Sequence, residues 1–315
     1  MPPMSFDFKK ETFLITGAAG FVGASLTRRL VKMGVKVHAL VHPQGDLWRL
    51  KEILPLLNLH VGDITDEVFV QDLIGKVSPS IIYHLATHGA YPTQKDAKRI
   101  LMTNVLGTCN LLDALDKSAY KLFINTGSSS EYGFKEKPMQ EMDLLEPNSY
   151  YAVAKAAQTM LCQYTAKSQK KPIVTFRLFS VYGPFEESSR LVPTIVRRCL
   201  QGEALEMASP LTARDFIFVE DVVDAYLNIE RLVECGGAVF NIGTGRQTSL
   251  KKIADTVVQL TNSHVEVHWN AMQGRIWDTS LWVGDVTRAE ELLDWRARTP
   301  LEQGLTQTME WFKRQ

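Results

Sequence analysis

Apolar, β-branched runs alternate with amphipathic stretches through the first half of the chain. TFLITG (12–17) predicts a strand, and ASLTRRLVKMG (24–34) a helix closed by Gly34. VKVHALV (35–41) and NLHVGDI (58–64) read as two further strands, and VFVQDLIGKV (68–77) as a helix. The alternation continues with strand SIIYHLAT (80–87), helix NVLGTCNLLDALD (104–116), strand KLFINTG (121–127), a helix over 149–168 and strand PIVTFRLF (172–179). Parallel neighbours need a crossover and helices supply it, so the rhythm predicts an α/β fold on a doubly wound parallel sheet.

After about residue 180 the rhythm breaks. VYGPFEESSRLVP reads as a loop with two prolines, followed by a helix at 195–202. The stretch 214–233 reads as a strand entering a helix, and AVFNIGTG (238–245) as a strand. The rest predicts helices over 249–262, 287–294 and 301–313, with a strand near VEVHW. The pattern implies a nucleotide-binding domain over 1–179 and a smaller mixed α/β carboxyl-terminal lobe over 180–315, with segments near 214–245 returning to the first domain.

Composition narrows the partners. Thirty-five basic residues balance thirty-five acidic ones, which removes the electrostatic case for a nucleic acid or an anionic membrane. No apolar run approaches the roughly 18–20 residues of a membrane span, and the start lacks a signal-peptide layout. Cys109, Cys162, Cys199 and Cys235 lie far apart without a CxxC pair. The expectation is reduced thiols, no structural zinc and a cytoplasmic location. His84 and His88 have the i, i+4 spacing of a metal pair, but no third ligand is evident, so no metal is expected.

TGAAGFVG (16–23) follows a strand and opens a helix. Gly17 permits the tight turn, Gly20 lets backbone approach a pyrophosphate, and Gly23 allows close helix–strand packing. With Phe21 and Val22 these residues would present the helix N-terminus to the phosphates of a dinucleotide. NAD sites usually place an acid at the end of the second strand to bond the ribose 2′-OH, whereas a 2′-phosphate wants a cation. Here that position is Val41, followed by His42, and no acid appears before Asp46. The arrangement leans toward NADP, with NAD as the alternative, and puts His42 and Arg49 near the phosphate. A plain surface-loop role for His42 is the competing reading. Asp63, next to Ile64, suits the adenine amino group or a simple turn.

Tyr151 and Lys155 are four apart on a predicted helix and share a face. A phenol with a pKa near 10 is a poor proton relay at neutral pH, and a nearby ammonium favours the phenolate. Bringing it toward neutrality needs about 3 units, or about 4 kcal/mol of differential electrostatics. TGSSSEYG (126–133), at the end of a predicted strand, supplies a hydroxyl for the same substrate oxygen.

TGAAGFVG, HLAT (84–87), NVLGTCN (104–110), TGSSSEYG, YAVAK (151–155), RLFSVYGP (177–184), RDFIFVEDV (214–222) and NIGTG (241–245) occur in the order and spacing of a known family. In these motifs the chain resembles the extended short-chain dehydrogenase/reductases, the NAD(P)-dependent nucleotide-sugar epimerases, dehydratases and reductases. The resemblance covers nearly the whole chain. It implies a Rossmann domain plus a small carboxyl-terminal substrate lobe, and a homodimer formed through the helices 104–116 and 149–168. It makes Ser128, Tyr151 and Lys155 the catalytic triad, and puts Leu85, Ala86, Thr87 and Asn104 along the cofactor. A nucleotide-diphosphate sugar is the implied substrate, met by Ser129, Ser180, Arg214, Arg275 and Asp278.

Three chemistries of that family compete. Dehydratases carry Asp-Glu directly after the triad hydroxyl, where this chain has Ser129 and Ser130, so dehydration is not expected. The absent ribose acid and the resemblance of RLFSVYGP and RDFIFVEDVVDAYL to CDP-abequose/paratose synthase-type reductases favour an NDP-4-keto-6-deoxyhexose 4-reductase. An NAD-dependent NDP-sugar 4-epimerase is the alternative. A catalytically silent dinucleotide-binding regulator, the reading from another class, would typically have lost the Tyr or Lys.

Overall fold

The computed structural model describes residues 6–91, 93–272 and 279–315. The chain divides into two compact units. The first takes in Met1–Gly133, Leu144–Arg177 and Val223–Phe240, the second Phe134–Asp143, Leu178–Val222 and Asn241–Gln315.

A seven-stranded sheet carries the α/β part of the chain. Its first six strands are β1 (Phe13–Thr16), β2 (Val37–Val41), β3 (Leu57–Val61), β4 (Ile81–His84), β5 (Leu122–Ser128) and β6 (Ile173–Leu178), and the seventh is Val239–Ile242. Across the sheet the order is Val239–Ile242, β6, β5, β4, β1, β2, β3. The β1–β2, β2–β3, β1–β4 and β4–β5 pairs are parallel. From β1 the chain winds one way through β2 and β3 and the other way through β4, β5 and β6. In such sheets, ligands bind beyond the carboxyl ends of the strands at this reversal.

Helices covering both faces explain why β1 and β4 are buried at every position and carry no polar alternation. Leu14, Leu40, Ile82 and Phe123 of the sheet meet α2 (Glu67–Val77) through Val70, Leu73 and Ile74. The same cluster takes in Leu111, Leu112 and Leu115 of α4 (Gly107–Leu115) and Cys162 and Ala166 of α5 (Tyr150–Ser168). α1 (Phe21–Lys32) follows the glycine turn.

Several element boundaries differ from those the sequence suggests. Helical structure begins at α3 (Ala97–Leu101), capped by Asp96, and reaches α4 through a π turn over Met102–Leu106. A π turn inserts a residue without a sequence signature, so the motif starting at Asn104 reads as a fresh helix when it is a continuation. Likewise α6 (Leu191–Gln201) starts four residues before the predicted 195. Pro193 falls in its first turn, where the missing N–H costs nothing. The stretch 214–233 resolves into strands Ala213–Arg214 and Phe216–Phe218 and helices Val219–Tyr226 and Ile229–Leu232.

The second unit is held by short strand pairs and two buried aspartates. Ser180–Tyr182 runs parallel to Phe216–Phe218, Ala213–Arg214 antiparallel to Thr248–Ser249, and Leu205–Glu206 parallel to Val267–His268. Its core joins Val192, Ile195, Val196 and Cys199 of α6 to Ile253 and Val257 and to Leu305 and Met309. Asp215, wholly buried, accepts from the Thr244 amide and hydroxyl and from the amides of Gly245 and Gly284. Asp221 does the same for the amides of Arg298 and Thr299 and the Thr299 hydroxyl.

Three histidines make the first unit acid-sensitive. His84 is fully buried between the hydroxyls of Thr16 (2.7 Å to Nδ1) and Thr108 (2.9 Å to Nε2). Thr108 gives its own proton to the Asn104 carbonyl, so it accepts from Nε2–H, and Nδ1 accepts from Thr16. The neutral ring is thereby satisfied at both nitrogens, and a second proton has no acceptor. Burial, helped by the charge of Lys155, pulls the His84 pKa down to about 3. On β2 and β3, His38 and His60 stack at 5.2 Å with Nδ1 and Nε2 2.9 Å apart. Desolvation lowers both pKa values, and the neighbouring ring adds to the effect on His38. All three rings bind protons more readily in the unfolded chain, so stability is complete above about pH 6.5 and declines as pH falls. The unfolding temperature, followed by calorimetry from about pH 7 to about pH 5, should fall, and replacing His38 and His60 by Phe should flatten the slope.

Candidate active site

The glycine turn after β1 is built so that backbone lies where side chains would normally stand. Gly17 has φ +69°, and a Cβ there would sit 2.6 Å from the Ala86 nitrogen and the Leu85 carbonyl carbon. A Cβ on Gly23 would run into the Gly17 carbonyl oxygen. Gly20 occupies the N-cap of α1 and offers no side chain to its first amides. With Phe21 and Val22 half-buried behind it, this end of α1 leaves its first backbone N–H groups without a side-chain cap, an arrangement that suits an anion. The residues therefore fit the diphosphate of a dinucleotide.

The remaining cofactor candidates lie around this turn. Leu85 N donates to the Thr16 carbonyl and Ala86 N to the Thr16 hydroxyl, extending the line of β4. Asn104, buried in the π turn, accepts from the Thr87 hydroxyl (3.0 Å) and the His88 amide (2.9 Å) and returns a bond to the His88 carbonyl (2.8 Å). Ile64 is buried, and its carbonyl takes the Asn110 amide. His42 Nε2 lies 3.3 Å from an Asp63 oxygen, while His42 Nδ1 accepts the Gln44 amide. Burial raises the Asp63 pKa, but bonds from Thr65 and the charge of His42 outweigh it and leave the carboxyl below its ordinary value. Arg49, almost wholly buried, reaches the Ala19 carbonyl (3.4 Å) and packs its guanidinium 4.4 Å from the Trp48 ring.

Ser128 ends β5, and Tyr151 and Lys155 occupy the first two turns of α5, which is capped by Ser149. Ser128 Oγ shares a 2.8 Å bond with Ser130 Oγ, and the Ser128 amide donates to Glu131 Oε1 at 2.8 Å. The Lys155 nitrogen is 6.0 Å from the centroid of the Tyr151 ring. Lys155 is 1% exposed and donates to the Thr126 carbonyl (2.9 Å) and to Gln158 Oε1 (3.0 Å). Burial pulls its pKa down to about 8 against the opposing charge of Glu131. Tyr151 is half-buried, whereas Ser129 is 6% exposed.

Behind Ser128 lies a buried ion pair. Arg177 Nε donates to Glu131 Oε2 at 2.8 Å, with side chains 3% and 0% exposed. Thr159 donates to Glu131 Oε1, and the Arg177 guanidinium lies 4.6 Å from the Tyr132 ring centroid. Glu131 is a residue the motif reading passed over, although Ser128-x-x-Glu131 has the spacing of a capping box, and the structure forms one. Asn125 and Arg177 carry no such local signal, because their partners are distant in sequence, and the bond from Gln158 to Asn125 is equally long-range.

Two of the predicted substrate residues are neighbours in the second unit. The Ser180 amide donates to the Asp215 carbonyl at 2.9 Å, one residue beyond Arg214. Arg214 donates to the Ala213 carbonyl (2.7 Å) and places its guanidinium 5.2 Å from the Trp282 ring. The predicted Arg275 and Asp278 lie outside the described residues.

The sequence profile of the NAD dependent epimerase/dehydratase family matches residues 13–243. Mouse dTDP-D-glucose 4,6-dehydratase is 28% identical over 349 aligned positions, spanning 99% of this chain and 91% of that protein. The structure of UDP-glucose 4-epimerase from Thermotoga maritima, solved with UDP-glucose, is similar with a TM-score of 0.87 and 26% identity, covering 96% of this chain and 98% of that one. MoeE5, solved in complex with UDP-glucose and NAD, gives a TM-score of 0.83 and 31% identity, over 96% and 98% of the two chains. Strand order, glycine turn and profile agree, and the chain belongs to the NAD dependent epimerase/dehydratase family.

Proposed function

We propose that this protein is a nucleotide-sugar oxidoreductase acting at carbon 4 of an NDP-hexose, working as an NDP-4-keto-6-deoxyhexose 4-reductase. The observation that carries the reading is the setting of Ser128, Tyr151 and Lys155. The two residues after Ser128 are serines, and the nearest acid, Glu131, is buried against Arg177. A hydroxyl, a phenol and an ammonium suit transfer of one proton to one oxygen. Removal of water would require a further acid/base pair, which Ser129 and Ser130 do not supply.

In this reading Gly17, Gly20, Phe21, Val22 and Gly23 hold the cofactor diphosphate, and Asp63, Ile64, Leu85, Ala86, Thr87 and Asn104 line its remainder. Bound NADPH supplies the hydride that reduces the keto carbon. Tyr151 gives its phenolic proton to the oxygen at carbon 4, and Ser128 donates a hydrogen bond to the same oxygen. The Lys155 ammonium stabilises the phenolate left behind. Arg214, with its flat guanidinium, suits the substrate diphosphate, next to Ser180. Ser129, Arg275 and Asp278 complete the proposed substrate contacts.

NADP is favoured by Val41 at the position of the ribose acid, with His42 and the Arg49 guanidinium nearby. The second reading, an NAD-dependent 4-epimerase, is supported by the Asp63 carboxylate beside His42, which puts an acid near the end of β2. The similarity to UDP-glucose 4-epimerase of Thermotoga maritima and to MoeE5, which binds NAD, supports the same reading. Mass spectrometry of the dinucleotide released from denatured protein separates the two. NADP, or an empty site, is the reductase outcome; near-stoichiometric NAD is the epimerase outcome and would remove the argument from Val41 and His42.

The triad has its own test. Tyr151→Phe should lower kcat by about 10²–10⁴ with little change in thermal stability, since the phenol is the proton donor. Full turnover in that variant would exclude Tyr151 from the chemistry.

A homodimer is also proposed. Leu101, Met102 and Leu106 on one helical run, and Val153, Met160 and Tyr164 on α5, are all exposed, Tyr164 at 71%. Apolar side chains at that density on two helices suit burial against a second copy. Light scattering should find a dimer for the parent protein and a monomer for Met160→Glu combined with Tyr164→Glu. A parent that runs as a monomer would refute the assembly.

A further inference from the structure

Lys155 is a cation with almost no contact with water, and its partners are neutral. Of its three N–H groups, one goes to the Thr126 carbonyl and one to Gln158 Oε1, three residues along the same helix. Gln158 is fully buried and its orientation is determined by a chain of bonds. Gln158 Nε2 donates to Asn125 Oδ1 at 2.8 Å, and Asn125 Nδ2 donates to the Thr175 hydroxyl at 3.2 Å. A flipped Gln158 amide would turn its NH₂ toward the ammonium and its oxygen toward another oxygen. Asn125 and Thr175, both buried, come from β5 and β6, so the sheet aims the Gln158 carbonyl at the lysine.

The charged and titratable groups facing Lys155 are few. Glu131, in the turn after β5, raises its proton affinity, but that carboxylate is also engaged by Arg177 from β6. Cys162, two turns along α5, acts in the same sense. His84 on β4 is held neutral, and Tyr151 lies on the other side of one helical turn. Gln158 is the side chain of this group that bonds the amine directly.

We propose that Gln158 is a positioning residue for Lys155, fixing its amine beside Tyr151 through an uncharged acceptor where a carboxylate would pair with the ammonium. The catalytic consequence rests on the triad reading above, whereas the hold on Lys155 does not. An amide satisfies the geometry of the ammonium without neutralising it, so the positive charge stays available to the phenol. A Glu at 158 would pair with the ammonium and spend part of that charge; a Met would remove the acceptor and leave Asn125 without its donor.

The test uses the full-length protein and two variants, Gln158→Glu and Gln158→Met. The titration of the Lys155 amine is read by ¹⁵N-lysine NMR, and kcat against pH by NADPH oxidation with UDP-4-keto-6-deoxy-D-glucose. Gln158→Glu should move the lysine titration up by about one unit or more, and Gln158→Met should move it down. The alkaline limb of the kcat profile should move in the same directions. An unmoved lysine titration in both variants overturns the proposal, as does a kcat lowered equally at every pH with the limb in place and the titration unmoved, which is what lost packing alone produces. A lysine titration that moves under an unmoved kcat profile upholds the hold of Gln158 on Lys155 and refutes instead the role of Lys155 in the proposed reaction.

Discussion

A lysine ammonium removed from water is the constraint around which the first unit is arranged. Burial of an unpaired charge is prohibitive, and burial beside a full counter-charge would consume the field that the proposed reaction uses. Here the cost is spread. Two neutral oxygens take two of the three N–H groups of Lys155, and Glu131, whose charge reaches the amine, is shared with Arg177, Thr159 and the Ser128 amide. The residues behind the proposed triad are therefore polar and engaged with one another. The same bonds locate Ser128 at the end of β5 and Lys155 one turn into α5, so the electrostatics and the geometry of the site have a common origin.

Much of this is legible in the sequence itself. Strands that are buried on both faces read as continuous β-branched runs, and the glycine spacing at 17, 20 and 23 is a steric demand written directly in residue type. Local spacing also exposes Tyr151 and Lys155 as one helical face. What the chain hid is of another kind. The π turn over 102–106 has no composition of its own, and Pro193 disguised the start of α6 as a loop. The Gln158–Asn125–Thr175 chain joins residues 33 and 50 positions apart, and distance along the sequence carries no trace of such a contact.

The end of β2 shows how one position can be read two ways. Val41 supplies no acid, yet Asp63, from the segment after β3, reaches the ring of the very next residue. A sheet brings neighbouring strand ends together, so a carboxylate absent from its usual place in the sequence can be delivered from the adjoining strand. The balance of Arg49, His42 and Asp63 is thus a matter of local charge rather than of motif.

The floor beside the glycine turn is tied together by one continuous line of bonds. Thr16 holds His84 and the Ala86 amide, His84 holds Thr108, Thr108 holds the Asn104 carbonyl, and the Asn104 side chain holds Thr87 and His88. Every link is made within the protein itself. A molecule settling on this floor would find its dipoles already oriented, and little conformational entropy would remain to be surrendered there. Affinity on this side would then be governed by how well the guest matches a rigid surface, and tight retention of a small molecule could be reached without any loop having to close over it.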